Sequence, residues 1–162
     1  MFGPQFYWTF LVLCGAYVFA KGGSPERMAM AIAVLASAAT LIAHRLEAVY
    51  FSKVETGPFV IDVITFFAFL LLALWADRFW PLWIAGIHLV GVATHTAKLV
   101  SPAVVPWVYN WIQGFWSYPI VVLIVIGSAR HQKRLRLYGA DNSWNAFFAA
   151  AGRTRPPTGP IG

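Results

Sequence analysis

Charged side chains are scarce in this chain, at 11% of its 162 residues, against about 25% in a typical soluble domain. That scarcity argues against a large water-facing surface and reads as a chain written mostly for lipid. Cysteine is nearly absent. The single Cys14 lies in an apolar run, which rules out an intramolecular disulfide and says nothing about compartment. Reactive spacings are missing as well: the sequence has no His-x-x-x-His, no Cys-x-x-Cys, no Gly-rich phosphate loop and no nucleophile elbow. No lysine sits midway along a late apolar run, as retinal chemistry would require, because Lys98 falls at the end of one. Nor is there the inverted repeat expected of many transporters. Acidic residues are outnumbered, with six Asp and Glu against 12 Lys and Arg. The placement of the excess argues against nucleic acid, for which no motif is present. Arg130, Lys133, Arg134 and Arg136 come directly after the last apolar run, where a basic cluster is first a topology signal and a partner for anionic lipid.

What fills the chain instead is hydrophobic residues, 59% of the total, concentrated around the stretch from Gly57 to Val100. Two apolar runs there are joined by the charged break Asp77-Arg78, with Pro58 and Pro81 suited to the first turns of two helices. Each run of about 19 residues gives a helix roughly 28 Å long, enough to cross bilayer hydrocarbon. Upstream, residues 4–20 form an apolar run with an aromatic collar at Phe6, Tyr7 and Trp8 and no positive residue before it. It reads as a retained helix with its N-terminus outside, not as a cleaved signal. Lys21-Gly22-Gly23 breaks the chain, and Ser24-Pro25 restarts it with Ser24 as N-cap. Ala29, Ala33, Ala36, Ser37 and Thr40 fall on one face of this second helix, the pattern of close helix packing in membranes.

The expected fold is an all-α integral membrane protein, a bundle of five transmembrane helices at about 4–20, 25–47, 58–76, 81–99 and 103–128. Residues 130–162 then form a basic cytoplasmic tail with a short interfacial helix at 144–151 carrying Trp144, Phe147 and Phe148. An alternative makes 102–114 an interfacial helix, and Pro119 is expected to kink the fifth span. With the C-terminus inside, the cytoplasmic side holds Lys21, Arg27, Arg78 and all the basic residues from Arg130 onward. The outside holds only Arg45, Lys53 and Lys98. This is the positive-inside arrangement of a multi-pass protein of a bacterial-type cytoplasmic (inner) membrane.

Ionisable groups at membrane depth are candidate functional residues by default. In a hairpin turning near residue 79, position 62 is level with position 95 and position 69 with position 88. Asp62 and His95 then lie roughly 6–7 Å below the outer end of their helices. His44, Glu47, Asn110 and Gln113 belong to the same outer third, so Asp62 is expected within hydrogen-bond reach of His95 or His44. Two readings of His44, His88 and His95 stand side by side. They could hold haem or a transition metal, or they could be structural, with Asp62 paired to His95 and His88 satisfied by its surroundings. The tryptophans are read as an interfacial belt.

These features favour a non-catalytic accessory or structural subunit of a larger membrane complex, associating with other membrane subunits or with itself. The alternatives are a haem- or metal-binding redox protein and a homo-oligomeric channel or carrier. Arg130, Lys133, Arg134 and Arg136, with Trp144, Phe147 and Phe148, are the expected lipid- or partner-binding residues.

Overall fold

The computed structural model describes the backbone of residues 4–50, 56–100, 106–141 and 144, with side chains for 5–46, 57–97, 115–141 and 144. Five helices account for almost all of this: α1 (Pro4–Lys21), α2 (Ser24–Tyr50), α3 (Thr56–Trp75), α4 (Trp80–Val100) and α5 (Pro106–Tyr138). No strand occurs among the described residues; one isolated antiparallel bridge joins Ala76 to Trp144. The helices pack as a closed ring, α1 on α2, α2 on α3, α3 on α4, α4 on α5 and α5 back on α1, and α5 also reaches across to α2. Each helix therefore buries only a narrow inward seam. That seam is Leu11 and Val18 of α1, Ala29, Met30 and Ala33 of α2, Phe69 and Leu72 of α3, Ile84 and Ala85 of α4, and Ile120, Val121 and Ile124 of α5.

The chain breaks have their origin in backbone chemistry. Gly22 ends α1 by donating its N–H to the Val18 carbonyl at 2.7 Å, and Gly23 offers its carbonyl to the Arg27 N–H at 3.0 Å. Gly23 thus stands where the sequence points to Ser24 as cap, and Ser24 is already the first helical residue. Pro25 and Pro81 fall in the first turns of α2 and α4, where a missing N–H costs nothing. The small residues Ala29 and Ala33 are buried and let α2 come close to its neighbours. Ser37, one turn on, bonds the Tyr7 hydroxyl of α1 at 2.8 Å.

The largest departure from expectation is at the end of α5. The sequence places the end of this helix near Ser128 and a tail beyond it, whereas the helix continues to Tyr138. Its extension is made of good helix formers (Ala, Arg, Gln, Lys and Leu) with neither Gly nor Pro before residue 139. Gly139 then takes a left-handed conformation (φ 71°) and donates its N–H to the Leu135 carbonyl at 3.0 Å, the αL termination that a Cβ would strain. Pro119 lies inside α5 and leaves the Phe115 carbonyl without its helical donor. At the other boundaries the differences are small: α3 begins at Thr56, not Pro58, and α2 runs to Tyr50, three residues past the expected end. The expected interfacial helix at 144–151 lies, apart from Trp144, outside the described residues.

Among the described residues two helices, over Ser24–Leu46 and Gly57–Trp75, are long and apolar enough to cross a membrane by length and composition.

Candidate functional site

Two polar clusters stand about 20 Å apart along the bundle, a distance set by the fourteen-residue step from Asp62 to Ala76 at about 1.5 Å per residue. In the first, His95 Nε2 of α4 lies 3.0 Å from Asp62 Oδ2 of α3. The His95 side chain is buried, and its ring packs against Phe59 with centroids 5.7 Å apart. A turn or two deeper, His88 stacks on Phe69 at 5.2 Å and 21°. The pairs 62/95 and 69/88 obey one register, that of an antiparallel hairpin reversing at Asp77–Phe79. Thr65, buried beside them, satisfies its hydroxyl on the Ile61 carbonyl at 2.7 Å.

The other residues expected in this cluster behave differently. His44 is exposed on α2, and no hydrogen bond or ion pair joins it to another described residue. The side chains of Glu47, Asn110 and Gln113 lie outside the described residues. No group of three His, Cys, Asp or Glu side chains placed to hold a metal ion occurs among the described residues. The aromatic collar of α1 is more than a membrane belt. Tyr7 meets Tyr118 of α5 edge-on at 5.4 Å, and Phe6 and Phe10 flank the same ring at 6.4 and 5.8 Å.

The second cluster gathers where α1 ends, α2 begins, α3 turns into α4 and the chain reverses after α5. Its centre is Asp141, whose side chain is 4% exposed. Asp141 Oδ2 accepts from Arg78 Nη2 at 2.6 Å and lies 2.5 Å from His131 Nδ1, while Oδ1 accepts from Arg134 Nε at 2.7 Å. Burial alone pushes the Asp141 carboxyl up. The hydrogen bonds from Arg134 and His131 and the charge of Arg78 outweigh it and hold the group below the ordinary aspartate value. Arg78 serves a second carboxylate less well: its Nε is 3.8 Å from Glu26 Oε1, and Glu26 is fully buried. Neither oxygen of Glu26 has a hydrogen-bond partner among the described residues, and Arg78 Nε and Arg134 Nη2 are likewise unspent.

Local sequence explains how these groups meet. Gly23 allows Glu26 and His131 to close in, since a Cβ there would stand 2.8 Å from Glu26 Oε2 and 2.9 Å from His131 Cε1. Gln132 of α5 donates to the Lys21 carbonyl at the end of α1. Trp144 packs against the core and pairs its backbone with Ala76. Residues 140, 141 and 144 thus lie across the α3–α4 turn like a strap, pinned by Asp141. Of the basic residues after the last apolar run, Arg130, Lys133 and Arg136 are exposed. Arg134 is drawn into the strap. Phe147 and Phe148 lie outside the described residues.

Sequence reasoning misses this second cluster. It takes Arg78 as half of a hairpin break and gives Glu26 and Asp141 no role. The available signal is that Glu26, Asp77 and Asp141 are the only acids on a side crowded with cations. Comparison of the chain with protein-family models, with curated proteins and with solved structures yields no match.

Proposed function

We propose that this chain is a five-span protein of a bacterial-type inner membrane and acts as a non-catalytic accessory or structural subunit of a larger membrane complex. The observation that carries this reading is how little of the apolar surface the ring of helices covers. The membrane-length windows in α2 and α3 are only 17% and 22% buried, whereas the core helix of a soluble protein of this hydropathy would be mostly enclosed. Val12 and Leu13 on α1, Trp83 and Leu89 on α4, and Phe115 and Ile126 on α5 extend that exposed surface to the remaining helices. Lipid satisfies such faces, and so do neighbouring membrane helices. Paired charged groups inside the bundle support a scaffold role: Asp62 contacts His95, and Asp141 contacts Arg78 and His131.

The test is the mass of the gently solubilised particle. Co-migration with other membrane subunits, or a defined oligomer that loses thermal stability on dissociation, supports the reading. A clean detergent-bound monomer of undiminished stability overturns it. Orientation is tested separately: a reporter fused after Gly162 should be active only in the cytoplasm.

One observation favours the histidine-based alternative. A carboxylate on His95 Nε2 is the arrangement that orients a metal-ligating imidazole. A visible spectrum decides it. Bound haem gives a Soret band that a His95→Ala variant loses.

A further inference from the structure

We propose that Arg78, His131 and Arg134 form a binding cradle for an oxyanion of the phosphate class, and that Asp141 of the same chain occupies it as a built-in substitute. The cradle exists whatever assembly the chain joins; with the reading above it shares only the placement of this end at the inner membrane face.

Three donors from two separate parts of the chain converge on one carboxylate at 2.5–2.7 Å, and two further donor positions of the same arginines stay unused. Asp141 has two oxygens, and both are engaged. Arg78 Nε and Arg134 Nη2 remain buried without hydrogen-bond partners among the described residues. An arginine presents its Nε and one Nη side by side, a fork matched to two oxygens of one anion, and here each fork is half used. A tetrahedral anion offers more acceptor positions than Asp141 and can take up both spare donors.

The charges agree. Without Asp141, Arg78 and Arg134 stand against Glu26, whose Oε1 is 3.8 Å from Arg78 Nε. One net positive charge then remains on the two arginines, matched to a singly charged phosphodiester. Of the cradle, His131 borders an open cleft of about 530 Å³, lined also by Gly22, Gly23 and Arg27.

The shared chemistry has two sources, the phosphodiester of an anionic lipid headgroup and free inorganic phosphate. The experiment uses the full chain in zwitterionic-lipid nanodiscs, as parent, Asp141→Ala and Asp141→Ala/Arg134→Gln. Melting temperature is tracked while inorganic phosphate is added, and again after exchange into discs containing phosphatidylglycerol. Emptying the cradle should tighten binding of one or both probes at least about tenfold, the equivalent of one charge-assisted hydrogen bond. The Arg134→Gln change should abolish the gain. Stabilisation by phosphatidylglycerol alone identifies a lipid site; stabilisation by inorganic phosphate identifies a soluble ligand.

Should Asp141→Ala fail to fold, Asp141→Ser replaces it, a polar side chain too short to reach the three donors. Replacing Arg130, Lys133 and Arg136 with Gln in the Asp141→Ala background should leave phosphate binding intact, which separates the cradle from the exposed basic face. No binding of either probe to the Asp141 variants overturns the proposal. So does binding that survives loss of Arg134.

Discussion

Asp62 and His95 face each other across the seam between α3 and α4, with 3.0 Å between Oδ2 and Nε2. His95 is the more enclosed partner, at 4% side-chain exposure against 24% for Asp62. Removing either side chain deletes the contact that the other makes across the seam. Asp62→Asn and His95→Gln should each lower stability. A double-mutant cycle should return a coupling of about 0.5–3 kcal/mol, the range for residues in direct contact. Denaturant titration in mild detergent measures it, and a coupling near zero would show that the two residues are adjacent without depending on each other.

This pair is legible in the sequence because rigid helices transmit register. Once Asp77-Arg78 and Pro81 place the turn, a fixed rise per residue puts 62 opposite 95 and 69 opposite 88. His44 is a weaker inference because it needs the position of a third helix, about which a hairpin says nothing. The Asp141 cluster is out of reach for a different reason. Arg78 and Asp141 are 63 residues apart, and their meeting depends on α5 continuing beyond Ser128 and reversing at Gly139. Neither event leaves a periodic mark in the sequence. The small-residue face of α2 is readable because packing in apolar surroundings depends on side-chain size, which can be taken directly from the residue types.

The strap should respond to acid. The carboxyl of Asp141 is held below its ordinary value, so its contribution is fully present above the unfolded-state value of about 3.9. It is lost as pH falls through the lower folded-state value. Hydrogen exchange at Trp144, corrected for its intrinsic pH dependence, should stay slow from neutral pH down to about 4 and accelerate only below that. In Asp141→Asn exchange should be fast already at neutral pH, with little further change on acidification. A parent strap that opens well above pH 4 would show that the Asp141 carboxylate is not what holds it.

Gly23 makes a steric prediction with an internal control. A methyl group there would stand 2.8 Å from Glu26 Oε2 and 2.9 Å from His131 Cε1, so Gly23→Ala must push the two side chains apart. The expected loss is about 1–3 kcal/mol, as for overpacking elsewhere. Shortening Glu26 removes one of the two clashes. Gly23→Ala should therefore cost less in a Glu26→Ala background than in the parent. Equal costs in both backgrounds would place the clash with His131 alone.

The last prediction concerns the asymmetry between the two partners of Arg78. Asp141 holds a 2.6 Å hydrogen bond to its guanidinium, while Glu26 is fully buried at 3.8 Å with both oxygens unpartnered. A buried carboxylate without donors carries a desolvation cost that a distant cation only partly offsets. Replacing its charge with the amide of Gln keeps the shape and removes that cost, and it leaves Arg78 paired with Asp141. Glu26→Gln should accordingly be neutral or raise the melting temperature. Arg78→Gln removes the cation from two buried carboxylates at once and should cost about 3–5 kcal/mol, the usual penalty for stranding a buried charge. Thermal unfolding of the two variants in the same detergent is the measurement. If Glu26→Gln destabilises as much as Arg78→Gln, the Glu26–Arg78 contact is a working ion pair, and the strap is held by two carboxylates instead of one.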